Sequence, residues 1–359
     1  MKIFVTGASG FIGGAIARRL AQGHEVVALS RSQVGDATIA ALGAEPLRGD
    51  LDSLAPGGIP ACDAVVHCAA YVRSWGSRAD FVRSNVEGTD RVLAAARAAG
   101  ARRFVHMSTE AVLWRGQSLL EVDESHPYPH RTPFLYSETK AEAERRVRAA
   151  ADTKFCTVVL RPRFVWGPGD RTIVPEARRM IERGAFAWID GGRARTSTTH
   201  VDNLVFATER ALSHGRCGEA YFVTDGEVHE FRRFLTKLLE AHGITPPDRS
   251  VPGWLVRPLA AGVEGIWRML GIRTEPPLSH HAVSLLSCDC TLRDDKARAE
   301  LGYAPRISVE EGLASLRRQG GDGARDDGAG DRDGPGAADP PGPPDPEADP
   351  ADHGSGATA

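Results

Sequence analysis

A short glycine-rich turn near the amino terminus constrains the fold of this chain more than any other sequence feature. The segment TGASGFIG at residues 6–13 follows an apolar run at residues 3–6. It leads into a stretch in which Ile12, Ile16 and Leu20 recur every four residues. Together these patterns predict a buried strand, a tight turn and an amphipathic helix, in that order.

Three glycines in this turn suit a bound dinucleotide. Gly7 permits the sharp turn, Gly10 lets the backbone approach a pyrophosphate, and Gly13 allows the helix to pack against the sheet. The N–H groups and the positive dipole end of the helix attract phosphate. The spacing is GxxGxxG. The motif lies between the first strand and the first helix, as the GxGxxG fingerprint does, but its glycine spacing differs. We expect nucleotide binding, and a merely structural turn is the alternative.

Short apolar runs alternate with helical patterns through the first half of the chain. The predicted strands are 3–6, 26–30, 64–68, 104–108 and 157–161, and the predicted helices are 10–21, 80–99 and 133–151. This alternation predicts an α/β fold with a Rossmann-type, doubly wound parallel sheet. We expect a nucleotide-binding domain over 1–169, a smaller substrate-binding region over 170–319, and later strands that return to the sheet.

The final segment, 320–359, differs sharply in composition from the rest. It has ten Gly, seven Pro, ten acidic residues against two arginines, and no Leu, Ile, Val, Phe, Met, Trp or Tyr. Without apolar side chains to offset ordering entropy, it should be disordered. The segment carries −8 of a whole-chain charge of −3, so residues 1–319 carry +5. So weak a charge argues against a nucleic-acid binder that depends on counterion release.

Other compositional features set the expected class of protein. No apolar run approaches the roughly 20 residues that a membrane helix needs, and the amino-terminal run is too short for a secretory signal. The six cysteines are scattered, so we expect reduced thiols, no metal site and a cytoplasmic location. These features together favour an enzyme that acts on a small molecule.

The end of the second predicted strand bears on the choice of nicotinamide cofactor. An acid at this point usually holds the ribose 2′-hydroxyl of NAD, whereas a 2′-phosphate requires a cation. The chain has Ser30, Arg31 and Ser32 there and no acid. Arg31 can pair with phosphate bidentately, and both serines can donate hydrogen bonds. The sequence favours NADP over NAD, with a solvated loop charge as the alternative for Arg31.

A tyrosine and a lysine are spaced for acid–base chemistry on one helix. Tyr136 and Lys140 are four residues apart in a predicted helix, so both side chains lie on the same face. A phenol is a poor base at neutral pH, and a nearby ammonium stabilises its phenolate. Ser108 and Thr109 place a hydroxyl at the carboxyl end of the preceding strand, where open α/β sheets bind ligands. We expect that hydroxyl to bind a carbonyl oxygen together with Tyr136.

In this combination the chain resembles the extended short-chain dehydrogenases/reductases. The matching landmarks, in the family's order, are TGASGFIG at 6–13, GDL at 49–51, HCAA at 67–70, NVEGT at 85–89, YSETK at 136–140 and RPRFVWGPGD at 161–170. Within the family it is most similar to the 3β-hydroxysteroid dehydrogenase-like branch, on RPRFVWGPGD, the HVDN segment at 200–203 and the segment from 295 to 303. The missing acid after the second strand departs from the NAD preference common in that branch.

The resemblance assigns roles to individual residues. Thr109 takes the place of the family's catalytic hydroxyl, usually a serine, with Ser108 beside it. For the cofactor, Asp50 and Leu51 would hold the adenine, Ala69 and Ala70 would line its groove, Asn85 would support the site, and Pro162 to Val165 would lie near the nicotinamide. Ser9, Phe11 and Ile12 complete the predicted cofactor-binding turn. Homodimerisation through the helices at 80–99 and 133–151 is also expected by resemblance.

An apolar stripe marks the expected substrate end. Within 254–270, the residues Leu255, Leu259, Val263, Ile266, Trp267 and Leu270 fall on one helical face. Core packing is the preferred interpretation, with an apolar substrate lid or a membrane or subunit contact as alternatives.

The favoured function is interconversion of a secondary alcohol and a ketone on a largely apolar substrate, by hydride transfer to or from a nicotinamide. Such a substrate would resemble a 3β-hydroxysteroid or a 3-keto acyl compound. The alternative is a nucleotide-sugar epimerase or dehydratase that retains NAD. A dinucleotide sensor without activity is disfavoured, because the Tyr136–Lys140 pair is intact.

Overall fold

The five predicted strands all form, because their apolar residues are buried on both faces of one sheet. A computed structural model of the chain describes residues 1–73, 75–272, 274, 276 and 280–326. Its strands are β1 (Lys2–Thr6), β2 (Glu25–Ser30), β3 (Glu45–Arg48), β4 (Ala64–His67), β5 (Arg103–Met107), β6 (Leu119–Val122), β7 (Cys156–Pro162), β8 (Val165–Trp166), β9 (Trp188–Ile189), β10 (Arg195–Ser197), β11 (Thr199–His200), β12 (Glu219–Val223), β13 (Val228–Glu230), β14 (Ser250–Val251) and β15 (Cys290–Leu292).

The helices cover both faces of this sheet and build the carboxyl-terminal part of the chain. They are α1 (Phe11–Leu20), α2 (Gln33–Ala40), α3 (Arg78–Phe81), α4 (Gly88–Ala98), α5 (Leu135–Ala149), α6 (Ile173–Glu182), α7 (Val201–Ala211), α8 (Phe231–Glu240), α9 (Gly253–Met269), α10 (His280–Ser287) and α11 (Val309–Asp326). A π-helical stretch, Val82–Glu87, joins α3 to α4, so the helix predicted over 80–99 is continuous but irregular.

Seven strands form one parallel sheet in the order β12–β7–β5–β4–β1–β2–β3. The chain reverses direction across the sheet between β1 and β4, whose carboxyl ends meet with Thr6 opposite His67. Such a switch point opens a crevice at the carboxyl ends of the strands, where this class of sheet binds ligands. The predicted Rossmann-type fold is confirmed.

Two apolar layers hold the helices against this sheet. Ile16 and Leu20 of α1 pack with Leu204 of α7 on one face. Val92 of α4 and Val147 of α5 pack on the other face. The edge strand β3 was not predicted, because its sequence EPLR is only partly apolar and contains a proline, which sheets tolerate at their edges.

The second half of the chain builds a smaller unit, but it also returns to the main sheet through β12. A four-stranded sheet, in the order β13–β10–β15–β6, lies in the smaller unit. Aromatic residues of α8 and of the segment after β7, among them Trp166 and Phe234, form its core. The last helix extends to Asp326, beyond the predicted boundary at 319. The predicted disorder of residues 327–359 lies outside the described residues.

The expectation of six reduced thiols is wrong for two of them. Cys156 and Cys217 form a disulfide across 61 residues of sequence. Cys156 begins β7 and Cys217 precedes β12, and these strands are neighbours in the sheet. Scattered sequence positions therefore concealed a pair that the parallel sheet brings together. Cys62, Cys68 and the pair at 288 and 290 are free.

Candidate active site

The glycine turn packs so closely against the residues after β4 and against α1 that it tolerates no side chain at two positions. Gly7 has a φ of 77°, and a Cβ there would lie 2.8 Å from the backbone nitrogen of Ala69. A Cβ on Gly13 would lie 2.3 Å from the carbonyl oxygen of Gly7. Gly10 begins α1 with no capping side chain, so the first-turn N–H groups keep the capacity to bind an anion. This backbone cradle fits the pyrophosphate of a dinucleotide.

The other residues predicted to bind the cofactor spread along the same edge of the sheet. Ser9 accepts a hydrogen bond from Arg171 through its carbonyl oxygen at 3.3 Å, and Phe11 and Ile12 open α1. Asp50 caps the short helical turn that begins at Leu51. Ala70 is half-buried after β4, Pro162 ends β7, and Val165 begins β8.

A buried histidine links this cradle to the helix that carries Tyr136. The His67 ring contacts the Thr6 hydroxyl through Nδ1 at 2.7 Å and the Thr89 hydroxyl through Nε2 at 3.1 Å. The Thr89 hydroxyl donates to the carbonyl of Asn85, whose side-chain amide donates to Thr139 of α5 at 3.1 Å. Burial, together with a smaller effect of the Lys140 charge, lowers the pKa of His67 to about 3. This neutral network fixes Asn85 beside the predicted site.

The end of β2 presents one cation with no ion-pair partner among the described residues. Arg31 is exposed there. Ser32 is committed to capping α2, where its hydroxyl accepts from the backbone nitrogen of Gly35 at 3.1 Å. Asp36 of α2 pairs with Arg48 at the end of β3, so the charge of that neighbouring acid is neutralised.

Tyr136 lies in the first turn of α5, with the Thr109 hydroxyl close to its phenol. Thr109 follows β5 and donates its own hydroxyl hydrogen to Oε2 of Glu110 at 2.7 Å. Burial raises the pKa of the Tyr136 phenol, the Glu110 charge raises it further, and the Thr109 hydroxyl opposes both. The structure therefore brings Tyr136 and Thr109 together and keeps the phenol protonated.

Glu110 forms a buried ion pair behind this hydroxyl pair. Its Oε1 accepts a hydrogen bond from Nη1 of Arg163, and both side chains are almost fully buried. Arg163 also donates to the Thr196 hydroxyl at 3.0 Å. An ion pair with its remaining hydrogen-bonding groups satisfied holds its members rigidly, so Glu110 has a fixed position against Thr109.

Lys140 lies one turn after Tyr136, and its ammonium group is turned toward β5. Its Nζ donates to the carbonyl of Met107 at 2.7 Å and lies 3.4 Å from Nε2 of His106. Burial lowers the pKa of Lys140 to about 8, against attraction from Glu144. The expected lowering of the phenol pKa by Lys140 is not what this structure shows, because burial and Glu110 dominate at Tyr136.

Ser108 is buried and points away from the Tyr136 phenol. Its hydroxyl donates to Oε2 of Glu144, which also pairs with the fully buried Arg161. The Tyr128 hydroxyl donates to the same carboxylate at 2.6 Å. Of the two predicted hydroxyls, only Thr109 influences the pKa of Tyr136.

A small cleft opens beside Tyr136, with a volume of about 50 Å³. Trp75, Phe134 and Leu135 contribute apolar surface to it. Glu264 and Arg268 of α9 complete its outer wall. Part of the substrate end predicted at 254–270 therefore borders the candidate site.

The apolar stripe of α9 is the feature that the sequence analysis placed wrongly. Core packing was the preferred interpretation, but Leu255, Leu259, Ile266 and Leu270 are all about half exposed or more. The buried positions of α9 are Gly253, Ala260 and Glu264. Helical periodicity shows that a stripe exists but not which way it faces. No helix among the described residues is both long and apolar enough to cross a bilayer.

Sequence reasoning gave no role to Glu110, His67 or His106, and it placed Arg163 only within the segment 162–165 expected near the nicotinamide. The available signal for Glu110 was its position next to a hydroxyl at the carboxyl end of β5. Arg163 lies in the RPRFVW segment, but its partner is 53 residues away. No periodic pattern links residues so far apart.

Comparisons with known proteins agree with this fold. The NAD dependent epimerase/dehydratase family matches residues 3–224. A 4-hydroxy-2-methyl-3-oxo-4-farnesyl-3,4-dihydroquinoline-1-oxide ketoreductase of Stigmatella aurantiaca is 45% identical over 89% of this chain and 97% of its own. A 2-alkyl-3-oxoalkanoate reductase of Stenotrophomonas maltophilia is 37% identical over 88% and 98%, respectively. A 3 beta-hydroxysteroid dehydrogenase/Delta 5-->4-isomerase of Mycobacterium tuberculosis is 32% identical over 87% and 88%.

Proposed function

This chain belongs to the NAD dependent epimerase/dehydratase family, and we propose that it is an NADP-dependent oxidoreductase that interconverts a ketone and a secondary alcohol on a largely apolar substrate. The relatives named as a ketoreductase, an oxoalkanoate reductase and a hydroxysteroid dehydrogenase support this reaction class. The first of these acts on a farnesylated quinoline oxide, which is strongly apolar.

One observation carries the proposal, namely that the Thr109 hydroxyl lies close enough to the Tyr136 phenol, beside the cleft, to influence the phenol pKa. A carbonyl oxygen that enters beside them would accept a hydrogen bond from the Tyr136 phenol, and the Thr109 hydroxyl would donate to the same oxygen in exchange for its bond to Glu110. Lys140, on the same face of α5, adds a positive charge one helical turn after Tyr136. A carbonyl gains negative charge as it is reduced, and these groups stabilise that charge.

Tyr136 is best suited to donate a proton. Its raised pKa keeps the phenol protonated at neutral pH, so it can supply the proton that a developing alkoxide needs. When bound, the nicotinamide supplies the hydride, or accepts it in the reverse direction. Lys140 can hold a ribose hydroxyl by exchanging its bond to the Met107 carbonyl for one to the cofactor.

The glycine cradle and Arg31 support NADP as the cofactor. Gly7 and Gly13 let the turn pack tightly, and the first-turn N–H groups of α1 can bind the pyrophosphate. Arg31, exposed at the end of β2, can pair with a 2′-phosphate. The neighbouring acid Asp36 is paired through Oδ2 with Arg48.

The decisive experiment is a cofactor-oxidation screen with the purified full-length chain. NADPH and NADH are compared side by side against ketosteroids, 3-keto acyl compounds and nucleotide sugars, and the reverse reaction is followed with the corresponding alcohols. We expect NADPH oxidation with an apolar ketone. Absence of net cofactor oxidation with every ketone would refute the proposal.

The alternative is a nucleotide-sugar epimerase or dehydratase, since the family name covers both. Such an enzyme returns hydride to the same molecule and therefore shows conversion of a nucleotide sugar without net cofactor oxidation. Release of tightly retained NAD on denaturation of the purified protein would support this alternative. The apolar residues Trp75, Phe134 and Leu135 in the cleft favour the ketoreductase.

Two further expectations stay predictions. The homodimer expected through 80–99 and 133–151 would use α4 and α5, which are joined to each other by the ion pair between Asp90 and Arg146. Sedimentation equilibrium of the full-length chain tests it. The cytoplasmic location is tested by cell fractionation.

A further inference from the structure

Helix α9 exposes most of its large apolar residues to solvent. The exposed large hydrophobic residues of α9, including its carboxyl-terminal cap, are Trp254, Leu255, Leu259, Ile266, Met269 and Leu270, each between 49% and 78% exposed. Its buried residues are Gly253, Ala260 and Glu264. At 100° per residue, the exposed apolar residues span an arc of about 160°, and the buried ones lie opposite its centre. We call these six residues the α9 apolar face.

The size of this face sets it apart from ordinary surface hydrophobics. Scattered single apolar residues are normal on a protein surface, whereas a contiguous group marks a binding surface. Six of the eleven large hydrophobic residues that are exposed in the described part of the chain belong to this one helix. Something apolar therefore covers it in the working protein.

The charges of α9 indicate what kind of partner that is. Glu264 is the one acidic residue between 253 and 270, and it is buried on the opposite face, where it pairs with Arg268 at 3.6 Å. Arg268 is exposed, and Arg257 is half-buried against Ser287. An exposed apolar face with an indole, flanked by arginine and free of exposed acids, is the composition of helices that lie on anionic lipid.

Two other occupants fit poorly. The acidic segment 320–359 has no large apolar side chain to place on this face. A substrate in the cleft is also excluded, because Glu264 and Arg268 border the cleft while the apolar face points away from it.

We propose that the α9 apolar face docks on the surface of an anionic phospholipid bilayer, with the cleft at Tyr136 held beside the membrane. The docking itself is independent of the proposed function. Its consequence rests on that function: an apolar ketone dissolved in the bilayer would have only a short distance to travel to the cleft on the other side of α9.

The test is flotation of the full-length chain with vesicles, in the absence of substrate. Vesicles of phosphatidylcholine with phosphatidylglycerol are compared with vesicles of phosphatidylcholine alone. We expect the chain to float with the anionic vesicles and to be partly released by salt. The double variant Trp254→Ser/Leu259→Ser should weaken binding about tenfold or more, because two large apolar side chains no longer enter the lipid. Its tryptophan emission should also lack the blue shift that vesicles cause in the parent protein.

A matched double variant, Leu120→Ser/Val228→Ser, removes exposed apolar residues from β6 and β13 instead. It should float like the parent chain. Failure of the parent to float, or equal loss in both double variants, overturns the proposal. If the parent does not float but forms a dimer, and only the α9 double variant dissociates that dimer, the α9 apolar face binds a second copy of the chain. That result also overturns the proposal.

Turnover of a small water-soluble ketone is measured on the same preparations. Absence of that turnover in the parent chain would refute the proposed function. The vesicle result would still decide whether the α9 apolar face docks on a membrane. The α9 double variant should keep that turnover and lose only activity on ketone dissolved in vesicles.

Discussion

The Thr109 hydroxyl donates its hydrogen to the Glu110 carboxylate across 2.7 Å. The same Thr109 oxygen accepts a hydrogen bond from the backbone nitrogen of Ala111 at 3.2 Å, and the Thr109 hydroxyl acts on the neighbouring Tyr136 phenol to lower its pKa. Glu110 in turn is held by Arg163. Glu110 orients the Thr109 hydroxyl, and its charge adds to the effect of burial in raising the pKa of the phenol. Several consequences of this arrangement can be measured.

Replacement of Tyr136 by Phe should abolish turnover and leave cofactor binding intact. The phenol is the proton donor, and a positioned general acid contributes about 10² to 10⁴ in rate. Ketone reduction and NADPH binding, followed by cofactor fluorescence, are measured together. Tyr303→Phe is the matched control, because its hydroxyl donates to the Thr224 carbonyl away from the site. Near-normal turnover in Tyr136→Phe would contradict the assignment.

Glu110→Gln should move the pH dependence of turnover. Loss of the Glu110 charge lowers the raised pKa of the phenol, so the alkaline decline in ketone reduction should begin at a lower pH. The same variant leaves Arg163 buried without its counter-charge, which costs about 3–5 kcal/mol of folding free energy. The pH–rate profile separates the two effects, since a merely structural residue would lower activity without moving the alkaline limb.

The matched control for that variant is Glu142→Gln, on the exposed side of α5. It removes the same charge from the same region without touching Thr109, and its pH profile should coincide with that of the parent. If the alkaline limb of the pH–rate profile is unchanged in Glu110→Gln, Glu110 does not influence the pKa of the Tyr136 phenol.

Lys140→Met should inactivate the enzyme and stabilise the cofactor-free protein. Burial lowers the Lys140 pKa from 10.5 to about 8, so the buried ammonium costs about 3 kcal/mol at neutral pH. Loss of the bond to Met107 offsets about 1 kcal/mol of the gain. The cost is fully present below pH 8 and disappears as the pH rises to 10.5. Urea unfolding should therefore show the variant more stable at pH 7 by about 2 kcal/mol, with a smaller difference at alkaline pH. Equal or lower stability at pH 7 would contradict this account.

The site divides cleanly into what local sequence can and cannot predict. The glycine turn and the Tyr136–Lys140 pair are local patterns, so they were found from spacing alone. The Glu110–Arg163 pair and the disulfide between Cys156 and Cys217 join residues 53 and 61 apart. Only the sheet order brings such residues together. The α9 stripe was detected by its period and placed on the wrong side, because periodicity carries no information about which face is buried.

Arg31→Asp should shift the cofactor preference from NADPH toward NADH. Loss of charge-assisted bonds to the 2′-phosphate costs about 1.5–3 kcal/mol, which lowers kcat/KM for NADPH about ten- to a hundredfold. The new carboxylate can hold the ribose 2′-hydroxyl of NADH. Arg18→Asp, an exposed charge reversal in the last turn of α1, is the matched control. If the ratio of kcat/KM for NADPH to kcat/KM for NADH does not change, Arg31 does not contact the 2′-phosphate and is only a solvated surface charge.

Glu144 should stabilise the fold in a pH-dependent way. It binds the fully buried Arg161 and the Ser108 hydroxyl, and the Arg161 charge together with these hydrogen bonds holds the pKa of Glu144 below its usual value despite burial. A carboxyl with a lowered folded pKa stabilises the protein above its unfolded pKa and loses that effect as the pH falls through the folded value.

Glu144→Leu should therefore cost about 3–5 kcal/mol at pH 7, because Arg161 is left buried without a counter-charge. The difference from the parent should shrink in acid, as the parent's own carboxyl takes up a proton. The double variant Glu144→Leu/Arg161→Met should recover much of the loss, since an apolar pair of similar size needs no desolvation. Urea unfolding of all three proteins at neutral and acidic pH measures this. A double variant as unstable as Glu144→Leu would show instead that Glu144 acts mainly through Ser108 and Tyr128 rather than through Arg161.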